Sequence, residues 1–322
     1  MTNEEEDILY LVSIDHLLRR GLELVGFTPK QIDGVKRSKN LSRFRTHYNL
    51  NPLVYSILFR KLQTTDNKDA NILPFFKKVG KEKSFDYYLM GLHLLACYPK
   101  EEEAEGIFGI SNVTWSHWVW SFVERINLLL SEVVVFPEHW GNPDSDNNDE
   151  PYFVMTVDGI HCPIEEPTHT KYSENKKFFS HKFRKAALDY ELGISIFTQR
   201  CAWVSGPYPA GTHDITVFRA RLKKKIQDAR ERSGTAYRII GDRGYRGERE
   251  FISTPSSHDS EALRDFKGRA LSRHETFNGR LKNFDCLQER FRHSIKKHKW
   301  CFAACVVIVQ LSIQHGAPLF EV

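Results

Sequence analysis

The six cysteines of this 322-residue chain, at 97, 162, 201, 286, 301 and 305, include no CxxC pair. That absence points away from a disulfide framework or a zinc site and toward reduced, intracellular thiols. Cys301 and Cys305 are spaced to share a helix face, but they lie in the apolar run WCFAACVVIVQLSI, where core thiols are expected. A basic leader is missing too: the chain opens MTNEEEDILYL, acidic where a secretory signal carries positive charge. The C-terminal apolar run is too short to span a bilayer and carries Gln310, so a packed helix and no membrane partner are expected. There is no long-period repeat, no extended low-complexity tract and no sharp nuclear localisation signal. The run KKK at 223–225 falls on a predicted helix face.

What is present is an ordinary globular balance, 41% hydrophobic and 27% charged, with a net charge of +5 that leans toward a polyanionic partner. At roughly 150 residues per domain, the length suggests two domains. Residues 137–151, PEHWGNPDSDNNDEP, hold no periodic apolar pattern and read as the linker. Upstream, 1–136 reads as helical, with apolar residues at three- and four-residue spacing over 7–25, 52–63 and 85–97. EEEAEGIFGISNVTWSHWVWSFVERI then reads as helix, turn at Gly109, and helix, with Ser111 or Asn112 as N-cap. Such a pair is either a helix-turn-helix presenting its second helix to DNA or an αα-hairpin with Trp115, Trp118 and Phe122 in the core.

Downstream of the linker, 152–322, the periodicity changes. YFVMTVDGI, AALDYELGISIF and CAWVSG predict three strands, ITVFRARLKKKIQDARER a helix, YRII a further strand, and 271–284 and 299–314 terminal helices. That order gives an α/β domain with a mixed sheet. Two of its strands are predicted to end in an aspartate before a glycine turn: Asp158 in VDGI and Asp242 in GDRGY. Each alone is equally a turn residue, Asp214 in GTHDITVF equally a helix N-cap, and Glu275 equally an exposed helix glutamate. Two carboxylates side by side on one sheet repel each other unless cations neutralise them, which suits Mg²⁺ or Mn²⁺, and two such ions can clamp a phosphodiester displacement. Lys282, two helical turns from Glu275, shares its face and is placed to touch phosphate. Basic residues crowd both sides: Lys176, Lys177, His181, Lys182 and Arg184, then Arg290, Arg292, Lys296, Lys297 and Lys299. Such runs are either solvated faces or phosphate contacts, with Lys182 and Arg184 the foremost DNA-binding candidates.

VDGI, GTHDITVF, GDRGY and ETFNGRLK, in that order, resemble the DDE transposase domain of the PIF/Harbinger group, related to bacterial IS5-like transposases. The resemblance covers roughly 152–320 and extends weakly over the upstream helices. It implies an RNase H-like fold and metal-dependent cleavage and joining of DNA strands at transposon ends. Asp158, Asp242 and Glu275 would be the catalytic triad, and Asp214 a further metal ligand. An arginine expected shortly before the glutamate has two candidates, Arg269 and Arg273. The resemblance also implies nuclear residence, with or without a cytoplasmic share, action as a homo-oligomer, and in some relatives a separate Myb-like DNA-binding partner. Rival readings are a domesticated relative that binds DNA or scaffolds without cutting, a two-carboxylate glycoside hydrolase, and a helical binding module with an inert α/β domain.

Overall fold

The computed structural model describes residues 12–68, 80–137, 140, 152–167 and 176–322. Residues 7–11 of the first expected helix, nearly all of the expected linker 137–151, and the side chain of Lys176 lie outside the described residues. The chain forms two compact units. One comprises Met1–Leu130, Asn283–Cys286 and Lys296–Gly316; the other comprises Ser131–Lys282, Leu287–Ile295 and Ala317–Val322.

The first unit is helical, with α1 (Ile14–Leu24), α2 (Pro29–Asp33), α3 (Arg37–Tyr48), α4 (Pro52–Lys68), α5 (Lys81–Cys97), α6 (Glu101–Phe108) and α7 (Asn112–Leu128). Its core is aromatic, and buried phenols find backbone acceptors: Tyr48 donates to Gly21 O at 3.0 Å and Tyr88 to Tyr55 O at 2.7 Å. Gly109, at φ 65°, ends α6 in the left-handed region that a glycine adopts without strain, and the Ser111 hydroxyl caps α7 by accepting from Thr114 N. Trp115 and Phe122 are fully buried, as an αα-hairpin requires, while Trp118 is half-buried and stacks on Tyr87 with ring centroids 5.3 Å apart.

The second unit carries a mixed six-stranded sheet in the order β2-β3-β1-β5-β6, with β4 pairing β3. Its strands are β1 (Phe153–Pro163), β2 (Phe179–Ser180), β3 (Lys185–Ser195), β4 (Cys201–Pro209), β5 (Arg238–Gly241) and β6 (Ile252–Ser253), and its helices α8 (Asp214–Ala220), α9 (Leu222–Ser233) and α10 (Glu261–Lys282). Among these strands, β1–β5 and β5–β6 are parallel pairs and the others antiparallel. Val157, Phe218, Leu222, Ile226 and Ile239 form one buried cluster with the α8 and α9 helices, and Phe153, Ile240 and Ala270 form another with α10. The sheet is therefore covered on both faces, as an α/β layer architecture demands.

Several details depart from the sequence expectations. The last helix, α11 (Ile295–Gln314), is buried almost all round and contributes to the helical unit from Lys296 onward, so the α/β unit is not the continuous stretch 152–322. A helix apolar on every side needs partners all round, and sequence order does not say which. The α/β unit also begins upstream of the expected linker. Trp140, inside that polar segment, is 6% exposed and packs edge-on to Phe136. The single helix expected over 215–232 is broken at Arg221, where φ is −145°. Among the described helices none is long and apolar enough to cross a membrane.

Candidate active site

The site is built from β1 outward. Asp158 is not at the tip of its strand, as its sequence context suggested, because β3 pairs with β1 through Pro163. The expected neighbour is nonetheless reached. Parallel pairing of β1 and β5 runs to Val157↔Gly241, so Asp158 and Asp242 are the next residues along two adjacent strands. Beyond Gly241, Asp242 turns the chain, its Oδ1 accepting from Gly244 N at 2.8 Å.

Helix α10 is fastened to the same face of β1 by a polar ladder. His274 Nδ1 meets Thr156 Oγ1 at 2.9 Å, and Asn278 Nδ2 donates to Asp158 Oδ2 at 2.9 Å. One turn on, Lys282 Nζ donates to His161 O and to Leu287 O at 3.2 Å, beside Cys162 Sγ at 3.8 Å. Residues four apart share a helix face and alternate residues share a strand face, so 274, 278 and 282 answer 156, 158 and 162. Arg273, 1% exposed, adds a second anchor by donating from Nη2 to Ser195 O at 2.8 Å and Ile196 O at 3.0 Å. Arg269 instead donates to Glu321 O. Of the two arginines, Arg273 is the one that fixes the register of α10. That register sets Glu275 at the exposed rim, where its charge is the largest influence on Asp158 after burial.

The opposite face of β1 holds a second carboxylate group that sequence reasoning missed. Asp189 and Glu191 on β3 are 1% and 0% exposed and pair with His161 and Gly159. Glu191 accepts from Trp203 Nε1 at 2.8 Å, while its Oε1 and Asp189 Oδ1 are buried without a hydrogen-bond partner. The signal was present as Asp-Tyr-Glu alternation inside an apolar strand, which sends both acids to one buried face. Asp214 is the first residue of α8 rather than its cap, and His213 occupies the N-cap position. Two glycines admit its carboxylate: a Cβ on Gly159 would sit 3.3 Å from Asp214 Oδ1, and one on Gly244 only 2.1 Å from Asp214 Oδ2. Gly244 would also place its Cβ 3.0 Å from Asp242 Oδ1, so Asp242 adjoins Asp214 as well as Asp158.

The electrostatics follow from this crowding. Burial, then Glu275 and Asp242, push the Asp158 carboxyl up to about 7, opposed by the Gly159 amide. Burial and the charges of Asp214 and Asp158 take Asp189 to about 8, and burial with Asp189 and Asp214 takes Glu191 to about 8 despite the indole bond. Asp214 is raised by burial and by Asp242. His161 Nε2 lies 3.7 Å from Asp189 Oδ1, yet burial and the charges of Lys182 and Lys282 lower it to about 4. Both partners thus favour their uncharged forms, and the contact is not an ion pair. Asp158, Asp242 and Asp214 crowd together with the Glu275 charge nearby, the all-oxygen ligand set of a hard divalent cation, and the residues present fit one.

The expected phosphate contacts fare differently. Lys182 and Arg184 are exposed. Lys282 is half-buried, its amine is engaged by two carbonyls, and it lies 5.3 Å from the Phe183 ring centroid. The second basic cluster is divided, Arg290 and Arg292 falling in the α/β unit and Lys296, Lys297 and Lys299 in the helical one.

Residues 157–310, a little under half of the chain, match the family described as DDE superfamily endonuclease. No curated protein and no solved structure matches the chain. The matched segment includes both carboxylate groups and α10, and the mixed sheet flanked by helices is consistent with an RNase H-like DDE endonuclease. The match supports that superfamily, and with it a nuclease- or transposase-like function in general; divalent metal ions are the usual cofactors of that superfamily.

Proposed function

With the DDE endonuclease match as premise, we propose that this chain is a Mg²⁺- or Mn²⁺-dependent DNA nuclease of the PIF/Harbinger transposase type, cutting and joining phosphodiester bonds at transposon ends. The observation that carries the reading is the adjacency of Asp158 and Asp242 across β1 and β5, with Glu275 charge-coupled to Asp158 from α10. Asp158, Asp242 and Glu275 are the catalytic carboxylates of this proposal, and Asp214 a further metal ligand. When bound, one or two divalent ions supply charge stabilisation for attacking and leaving oxygens in line, so no covalent protein intermediate is needed.

The chain's own residues do the rest. Asn278 orients Asp158 through Oδ2, Arg273 and His274 hold the helix that carries Glu275, and the bare backbone of Gly244 lets Asp214 approach. Asp189 and Glu191 keep their protons at neutral pH and so withhold negative charge from an already crowded site. Lys182 and Arg184 are the phosphate contacts of this reading. The α6–α7 pair offers less, since the first two turns of α7, NVTWSHW, hold no lysine or arginine.

The test is nicking of supercoiled plasmid DNA with Mn²⁺ or Mg²⁺ by the full chain and by Asp242→Asn and Glu275→Gln. Cleavage that needs the ion and is lost in both variants is the expected result. Cleavage that persists in either variant excludes this carboxylate set. DNA binding without cleavage under any metal condition would instead support the domesticated, non-cutting relative.

A further inference from the structure

From the helical unit we infer a second, chemically distinct metal site, a zinc site formed by His47, His93 and Cys97. His93 and Cys97 are one turn apart on α5 and so share a face, and His47 lies in the last turn of α3. One ligand atom from each of the three residues lies within 4.8 Å of the other two. The two imidazoles stack with centroids 5.9 Å apart and planes 19° from parallel. Ordinary zinc–nitrogen and zinc–sulfur lengths in a tetrahedron separate ligand atoms by about 3.3–3.6 Å. A side-chain adjustment of about 1 Å therefore closes the set.

A second observation points to a ligand. His93 is 3% exposed, and its Nδ1 is buried with no hydrogen-bond partner. An imidazole nitrogen left unpaired in the interior is disfavoured unless something accepts its lone pair or its proton. Burial lowers both histidines, His93 to about 4, which keeps them in the neutral form that coordinates metal.

The thiol is the uphill member. Burial and the charge of Asp285 raise Cys97 to about 11, and its Sγ rests 3.4 Å from His47 O. Loading therefore releases the Cys97 proton to solvent as the thiolate–zinc bond forms, a step that coordination to a dication makes favourable. Cys97 is partly exposed, so solvent reaches the site and a water completes the fourth position. Two imidazoles and a thiolate select zinc over Mg²⁺ or Mn²⁺, the reverse of the all-oxygen carboxylate cluster. The site would staple the end of α3 to the end of α5, independently of the chemistry at Asp158. The spacing of cysteines could not reveal it, because two of its ligands are histidines and one comes from another helix.

Cobalt is the probe. The full chain with one equivalent of Co²⁺ should show tetrahedral d–d bands and a thiolate-to-cobalt charge-transfer band, both displaced by stoichiometric Zn²⁺ and not by Mg²⁺. Cys97→Ser, with its fold checked by circular dichroism, should remove the charge-transfer band. It should also weaken zinc binding by more than the ~10–100-fold that loss of an outer-shell partner typically brings. Asp158→Asn should leave the spectrum unchanged, which separates this site from the carboxylates. A native chain without the charge-transfer band overturns the inference whatever the variant does, and so does a band that survives Cys97→Ser.

Discussion

Removing one charge from the crowded carboxylates should make the metal-free protein more stable. In Asp158→Asn the shape is kept and the Asn278 amide still finds an oxygen to donate to, so the charge is what changes. A carboxyl lifted from 3.8 to about 7 binds its proton more tightly folded than unfolded. It therefore contributes nothing adverse below its unfolded value, opposes folding increasingly as pH climbs from there, and does so fully above its folded value. At about 1.4 kcal/mol per pH unit the full effect is about 4 kcal/mol. Asp189 and Glu191 titrate beside it and share the repulsion, so about 2–4 kcal/mol is expected for the variant at pH 8. At pH 5 the gain should shrink by half or more. Urea unfolding in EDTA measures it, with hydrogen exchange of β1 amides isolating the α/β unit. Mn²⁺ then narrows the gap, because the native protein gains about 1.4 kcal/mol at ten times its dissociation constant and the variant gains far less. If Asp158→Asn is no more stable than the native chain at pH 8 without metal, the carboxylates do not repel as described.

Gly244→Ala puts a methyl 2.1 Å from Asp214 Oδ2, and the carboxylate must move. Calorimetric Mn²⁺ titration should show about tenfold or greater loss of affinity with the fold intact; unchanged affinity would remove Asp214 from the ligand set. Asn278→Ala frees Asp158 from its amide donor and should lower cleavage by about 10–100-fold, as loss of an outer-shell orienting group does, while DNA binding in a gel-shift assay is unchanged. Equal loss of both would mark a folding defect instead.

Much of the site could be read along the chain. Asp158, Asp214, Asp242 and Glu275 stand in recognisable local settings, and a strand, a turn and a helix are local objects written in period-two and period-3.6 patterns. From the same signals came the mixed α/β sheet, the Gly109 break and the Ser111 cap.

What the sequence by itself determined was which residues are acidic and which face of its own element each occupies. What only the tertiary structure decided was who stands opposite. The β1–β5 register that makes Asp158 and Asp242 neighbours joins strands far apart in the chain, and a shift of one residue would have turned Asp158 to the other face. The same holds for the Thr156–His274, Asp158–Asn278 and Cys162–Lys282 ladder, which engages the half-buried Lys282 amine with β1. Asp189 and Glu191 looked like ordinary strand residues until β1 and α8 closed over them. His47, His93 and Cys97 belong together only because α3 lies against α5. Periodicity reports a residue's own orientation, whereas proximity between distant segments is settled by how the apolar faces pack, and that is a property of the whole fold.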